Sequence, residues 1–565
     1  MKKILYIIIC AVLFASCSFL DKDMPQGVLS EEQVSDPQYI DNLVISAYAI
    51  FISAEDINSS FSMWNFDVRS DDAYKGGNGT SDGDVFHQLE ISQGILTTNW
   101  NINDMWVRLY NSLSRVNAAI DALNNIDNSY ELKEQRLGEM YFLRAYGHFL
   151  LKRLYKNIPF VVEGDMTQED YLALSNTEYT NDEGWAVIAK DLEYSFRVLP
   201  QTQADKGRPT KASAAALLAK VYLYKAYRQD DPNSHRITEI NTEDLKQVVK
   251  YTDPALYANY GLEPDFHNNF RPEPQYENGI ESVWAMQYSM NDGTKNGNLN
   301  WSYGLIVPNI PGVTDGGCDF YKPSQNLVNA FHTDDAGLPL IDTYNNKDFN
   351  AATDNADPRL WLTIGMPGFP YMFNPNYMMA KTQTWSRSNG LYGYYVTLKH
   401  NVDPDTEYLI KGAWWGSPMN RIVLRYADVM LMRAEAQAQL GNGAEAIALV
   451  NQLRVRAAQT GMLNGYDVSY GAKIRVMPYG DTGDALARVK MERRLELAME
   501  SERFFDLVRW GEAETVINKY YAEEADNCAI YSAAHFTANK NEYLPIPYSQ
   551  IASSNGHYTQ NIGGW

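Results

Sequence analysis

Three stretches of this chain combine aromatic rings with carboxylates, amides and guanidiniums. A sugar presents flat apolar C–H faces rimmed by hydroxyls, so a site for one needs exposed Trp or Tyr platforms beside Asp, Asn or Arg. Residues 61–103 supply Trp64, Asp67, Arg69, Asp71, Asp72, Tyr74, Trp100, Asn101 and Asn103, strung through a Gly-rich loop at 76–83. Residues 291–321 supply Asn298, Asn300, Trp301, Tyr303, Phe320 and Tyr321. Residues 369–415 supply Phe369, Tyr371, Phe373, Tyr377, Trp385, Tyr392, Trp414 and Trp415. From these, Trp64, Asp71, Asp72, Trp100, Asn103, Trp301, Tyr303, Tyr321 and Trp385 form the expected ligand-binding set. No short motif selects among the rings, and packing within a loop layer is the competing role for each. Trp106, Trp284 and Trp510 read as packing residues.

Catalytic chemistry has less footing. The sequence lacks H-E-x-x-H, G-x-S-x-G, C-x-x-C and P-loop patterns, and its histidines are scattered rather than paired at metal spacing. Glu496 and Glu500 would be helix neighbours, near the separation of a glycosidase carboxylate pair. Arg493 and Arg503 stand three residues from them, which reads as an ion ladder with Asp506 along one helix. Asp71, Asp72, Asp82 and Asp84 offer oxygen ligands without the spacing of a calcium loop, and read as a solvated acidic loop. The expectation is no catalytic residue, no metal and no cofactor.

Helices must position these loops. Asp36-Pro37 opens the first, with Ile40, Leu43, Val44, Ala47 and Phe51 on one face. A second runs from about Asn103 through Trp106, Leu113 and Ile120, and a third from Glu131 to Tyr155. Thr180-Asn181-Asp182-Glu183 is a capping box opening a helix to Leu199-Pro200. Thr210 opens another through Leu217 and Tyr222. Tyr426, Val429, Met430, Ala434 and Ala438 repeat at helical spacing, Leu440-Gly441-Asn442-Gly443 stops that helix, and Ala446, Ile447, Val450 and Leu453 begin its partner. The small residues Ala434 and Ala446 permit close packing, as in a tetratricopeptide hairpin. About eight helices in some four hairpins follow. Residues 255–424 are instead rich in Pro, Gly, Asn and aromatics, with short strands expected at 281–284 and 394–398 and a short helix at 325–331.

The C-terminal block resembles the signature of the SusD/RagB family of surface nutrient-binding lipoproteins. The matching elements are Arg425-Tyr426-Ala427-Asp428-Val429, Arg433-Ala434-Glu435-Ala436, Glu492-Arg493, Glu496-Leu497, Arg503 to Trp510, and Tyr543-Leu544-Pro545-Ile546-Pro547. Asp357-Pro358-Arg359-Leu360 followed by Pro367-Gly368 is similar to a mid-chain motif of the family. The resemblance implies a mostly α fold: a tetratricopeptide-like helical-hairpin scaffold with a loop-rich, mixed α/β ligand-carrying region. It also implies a glycan-binding lipoprotein that passes oligosaccharide or polysaccharide ligands to a SusC-like TonB-dependent transporter. In the family, ligand aromatics come from loops placed like the first two stretches. A RagB-like peptide binder and a surface endo-acting glycoside hydrolase are the alternatives.

The N-terminus agrees. Lys2 and Lys3 precede an apolar run from Ile4 to Phe14, shorter than the roughly 20 residues of a membrane-spanning helix. It ends in Leu13-Phe14-Ala15-Ser16-Cys17, small residues before a cysteine, so residues 1–16 read as a lipoprotein signal peptide and Cys17 as the lipidated residue. Asp21-Lys22-Asp23 then accords with the family's display on the outer face of the outer membrane. Residues 17–565 read as one domain: a helical part at 17–254, the loop-rich insert at 255–424 and a second helical part at 425–565. Cys318 and Cys528 remain, enough for one disulfide at most. A net charge of −22 repels nucleic acid and anionic polymers, so no nucleic-acid partner is expected and a neutral ligand is favoured.

Overall fold

The computed structural model describes residues 37–52, 64–126, 130–162, 168–294, 297–379, 385–411, 415–460 and 473–565. The signal peptide and Cys17 lie outside the described residues. The N-terminal scaffold contains α1 (Pro37–Ile52), then β1 (Ala73–Gly76) and α2 (Asp84–Glu90), then α3 (Trp100–Asn125), α4 (Lys133–Tyr155), α5 (Asn181–Val198), α6 (Lys211–Ala226) and α7 (Thr242–Tyr251). The local signals explain the starts. Asn99 accepts from the backbone N–H groups of Asn101 and Ile102 to begin α3, and Thr180 and Glu183 close the expected capping box at α5. Gly147 lets α3 approach α4, since a Cβ there would sit 2.9 Å from Leu113 Cδ2.

The insert carries β2 (Ser282–Met286), β3 (Phe320–Pro323), α8 (Gln325–Ala330) and β4 (Val396–Thr397), and ends in β5 (Arg421–Arg425). β5 pairs antiparallel with β2, with Ile422 opposite Ala285 and Arg425 opposite Ser282, so both ends of the insert are fastened at one place. The scaffold resumes with α9 (Tyr426–Gln439) and α10 (Gly443–Gln459), which pack as a hairpin with Ala434 and Ala446 fully buried in one cluster. Gly441, at φ 85°, takes the left-handed turn that ends α9. α11 (Ala485–Leu497) packs on that hairpin, and α12 (Arg503–Trp510) and α13 (Ala513–Glu524) close the fold. One large core runs through α1, α3–α7 and the C-terminal helices, with Trp106 and Trp284 each 3% exposed inside it. A second core underlies the insert, from Val68 to Met499. The architecture is mostly α, a tetratricopeptide-like scaffold carrying a loop-rich layer, as the sequence predicts. Cys318 and Cys528 are free.

The continuous charged helix expected over 493–506 does not form. α11 stops at Leu497, and Met499 and Ser501 take positive φ of 60° and 68° before α12 begins. Buried charge explains the break. The Glu496 carbonyl, left without a helical partner, accepts from Arg425 Nη2 at 3.0 Å and Lys399 Nζ at 3.1 Å. Arg493 turns to Asp506 and Asp428, and Arg503 to Asp71, rather than to neighbours along the chain. Glu496 and Glu500 therefore share no helix.

Candidate functional site

The structure joins two of the three aromatic stretches directly. β1 pairs antiparallel with β3, placing Tyr74 opposite Lys322 and Gly76 opposite Phe320. The Gly-rich loop that follows β1 is built around its own lysine. Lys75, 2% exposed, donates from Nζ to the carbonyls of Gly76 at 2.9 Å, Gly79 at 3.0 Å and Asp82 at 2.7 Å. That is the ligand set of a bound cation, filled by an internal ammonium. The same ammonium stands 5.2 Å from the Phe320 ring centroid and 5.4 Å from that of Tyr392, so it ties the loop to the aromatic layer. Gly76 must be glycine here: its φ is 78°, and a Cβ would lie 2.4 Å from Asp319 O.

Beside β1 opens a cavity of about 540 Å³. Tyr74 of β1, Gln325 at the start of α8, Asp348–Ala351, Met366-Pro367, Tyr392–Tyr395 and Asn527 line it. Its tyrosines are held in a hydrogen-bond chain. Tyr395 Oη donates to Gln325 Oε1 at 2.8 Å, Gln325 N donates to Tyr74 Oη at 3.1 Å, and Tyr74 Oη donates to the Glu524 carboxylate. Burial pushes the Glu524 carboxyl up to about 7, against the lowering effect of the Tyr74 hydrogen bond. Tyr394 and Tyr395 are half-buried, while Asp348, Asn350 and Asn527 are exposed at the rim. The cavity is thus lined by tyrosines with hydrogen-bonding groups at its rim, the pairing of residue types a sugar requires.

The sequence-expected residues divide sharply by burial. Trp100 is 56% exposed and rests edge-on against Phe86, 5.9 Å between centroids. Asn103 is half-buried and accepts from Ser549 Oγ and Gln550 Nε2. Trp301 is half-buried beside Gly416. Trp64 begins a 3₁₀ turn, Trp64–Arg69, and its side chain lies outside the described residues. The others are packed away. Asp71 and Asp72 are not a solvated acidic loop: Arg503 and Arg494 hold Asp71, and Arg494 Nε holds Asp72 at 2.8 Å. Burial raises the Asp71 carboxyl, but Arg494 and Arg503 outweigh it and hold the group at about 2. Tyr321, 2% exposed, donates to Asp67, and Tyr303, 2% exposed, donates to Val402 O. Trp385, 7% exposed, packs edge-on to Tyr371. Asp72, Tyr303, Tyr321 and Trp385 are withdrawn from the surface, and Asp71, 1% exposed, reaches only the floor of a neighbouring cavity. The cavity's rim residues Asp348, Asn350 and Asn527 escaped sequence reasoning, because polar residues in separate loops carry no spacing signal.

Glu496 and Glu500 belong to a buried charge cluster beneath the insert. Arg359, Arg425, Arg454, Arg456 and Lys399 face Asp357, Glu281, Glu492, Glu496 and Glu500. Burial raises the Glu496 carboxyl, and Arg456, Arg425 and Arg359 together hold it well below the usual range. Both carboxylates are thus committed to ion pairs, Glu496 with three guanidiniums and Glu500 with Arg425 and Lys399. Among the described residues, no cluster of His, Cys, Asp and Glu has the form of a metal site, and no helix is long and apolar enough to cross a membrane.

Comparison with known proteins follows the same lines. Residues 280–565 match the family model described as the SusD family, and residues 18–223 match one described as starch-binding associating with outer membrane. The chain is 25% identical to SusD-like protein P2 of Formosa agariphila over 580 residues, covering 99% of each. It is 24% identical to a SusD-like protein of Bacteroides ovatus, covering 90% of this chain and 82% of that one. Among solved structures, surface glycan-binding protein A from Bacteroides thetaiotaomicron in complex with laminarihexaose superposes with a TM-score of 0.65 at 18% identity, covering 93% of this chain and 99% of the other. A SusD-like protein from Bacteroides fragilis gives 0.70 at 19% identity over 95% and 98%. At such identities the structural likeness is one of fold.

Proposed function

The chain belongs to the SusD family, and from that premise we propose that it is a cell-surface protein that captures oligosaccharide and delivers it, uncleaved, to a SusC-like TonB-dependent transporter. The tyrosine-lined cavity carries the reading. Tyr394 and Tyr395 offer ring faces to the apolar side of a sugar, and Asp348, Asn350 and Asn527 meet its hydroxyls. Trp100 and Trp301 serve as outlying platforms, and Lys75 fixes the loop that follows β1, whose Tyr74 lines the cavity. Lipidation at Cys17, after loss of residues 1–16, anchors residues 17–565 to the outer membrane facing outward, the helical scaffold toward the transporter and the insert toward ligand. Similar proteins support glycan as the ligand class, since one structural neighbour is a laminarin binding SusD-like protein. No cofactor takes part, and transport energy comes from the partner.

Calorimetric titration of the full chain in detergent with neutral, acidic and mucin-type glycans and peptide digests, each mixture also assayed for cleavage, tests this. Saturable glycan binding without cleavage is expected. Binding to peptides alone would transfer the chain to the RagB-like reading, and turnover would make it a hydrolase.

A further inference from the structure

A second cavity, about 430 Å³, opens next to the first. The two share their framework segment by segment. Segment 71–74 contributes Asp71 to the second and Tyr74 to the first, and the start of α8 contributes Asn326 and Gln325 respectively. The 341–351 loop gives Asp342 and Tyr344 to the second and Asp348 and Asn350 to the first. The far wall gives Tyr520 and Glu523 of α13 to the second, and Asn527, four residues on, to the first. Asn527 lies in the turn just past the end of α13, so one stretch of chain serves both cavities. A solvent-exposed hydrogen bond from Asn345 Nδ2 to Glu523 Oε2 at 2.8 Å ties the 341–351 loop to that wall, at a point of the loop between Tyr344 and Asp348.

Resting on the glycan reading above, we infer that the two cavities are the ends of one groove, and that the second is a subsite for further residues of the same neutral oligosaccharide. Its chemistry suits hydroxyls better than a carboxylate. Exposed Asp342, Thr515 and Lys519 stand at its edge, with half-buried Lys490 opposite. The guanidiniums at its floor are already taken, Arg494 and Arg503 by Asp71 and Asp72. An anionic sugar would meet Asp342 and Asp484, with Lys490 already paired to Glu512, Lys519 to Glu523, and no unpaired cation at the floor to attract it. Half-buried Tyr344, with the Arg494 guanidinium 5.3 Å from its ring, supplies an aromatic face.

The test uses the full chain in detergent. A glycan array first names the polymer bound, and a ladder of its oligomers is then titrated by calorimetry. Two rises in affinity with length are expected, the second appearing once the oligomer passes Asn345–Glu523. Thr515→Trp, which fills the second cavity from an exposed position, should return long oligomers to short-oligomer affinity, a loss of about tenfold, and leave short oligomers unchanged. Asp342→Ala with Lys519→Ala should give a smaller loss of the same pattern, and unchanged thermal unfolding would show that the fold is intact. A single rise with length, or long-oligomer affinity unmoved in both variants, would overturn the groove while leaving the capture site standing. Silence across the whole array would overturn the glycan reading itself, and the groove with it.

Discussion

The buried charge cluster makes the sharpest demand on the physics. Five cations face five carboxylates, and Glu496, 0% exposed, accepts from three of the guanidiniums. Glu496→Gln keeps the shape and removes one negative charge, so no cavity confuses the result. The substitution leaves Arg359, Arg425 and Arg456 with one charge unmatched, and breaking a buried pair this way costs about 3–5 kcal/mol. With an unfolding entropy near 2.1 cal/mol/K per residue, a cooperative chain of 565 residues has a slope of about 1.2 kcal/mol per degree. The melting point should therefore fall by about 3–4 °C. Scanning calorimetry and guanidinium titration read the two quantities separately. Arg456 is the partner to remove in compensation, because Glu281 keeps Arg425 when Arg456 is lost. Glu496→Gln combined with Arg456→Met restores four against four, and the double variant should be at least about 1 kcal/mol more stable than the sum of the singles. A loss below about 1 kcal/mol in Glu496→Gln, or additive singles, would refute the claim that charge balance holds this junction together.

Other consequences follow from the same coordinates. Lys75→Met strands three loop carbonyls and should raise amide exchange across 76–83 by at least about tenfold, roughly the 1–3 kcal/mol of an unsatisfied buried group. Unchanged protection there would show that the ammonium does not hold the loop. Burial keeps Glu524 protonated up to about 7, above its unfolded value, so the native state binds the extra proton and stability from this group falls as pH rises from about 4.5 to 7. Glu524→Gln should flatten the stability profile across that window by up to about 3 kcal/mol, and an unaltered slope would discount it. Asp71 behaves oppositely. Its depressed carboxyl contributes fully above about 4 and is lost as pH falls toward 2, so Asp71→Asn should blunt acid unfolding there. Thr180→Ala removes the cap of α5 and should cost about 1 kcal/mol by denaturant midpoint.

Helices were legible where their signals are local. The Thr180–Glu183 box, the Gly441 stop and the apolar stripes of α3 and α9 each need only a few adjacent residues. α7 and α13 went unread: α7 is ten residues long, and α13 is twelve and ends in Tyr520-Tyr521 followed by Glu523-Glu524, so neither shows a long stripe. The site was legible only by region. Sequence composition marks where rings and carboxylates are dense, but it does not distinguish a platform from a core ring. Tyr303 and Tyr321 are as aromatic as Tyr394 and Tyr395, and burial alone separates them.

The charged block shows why spacing misleads. At intervals of three and four residues Arg493, Glu496, Glu500 and Arg503 look like partners on one solvated face, where each pair contributes only a few tenths of a kcal/mol. In the fold these four side chains are withdrawn from water, and a withdrawn charge must find a counter-charge wherever the chain can bring one. Arg493 reaches Asp428, Glu496 reaches Arg359, and Arg503 reaches Asp71, across separations of 65, 137 and 432 residues. Those long pairs join α11 and α12 to α9, to the insert and to the segment leading into β1. The block that most strongly marks the family thus works as the fastening between scaffold and loop layer. Its charges are spent on that, which leaves them unavailable to a ligand at the tyrosine cavity.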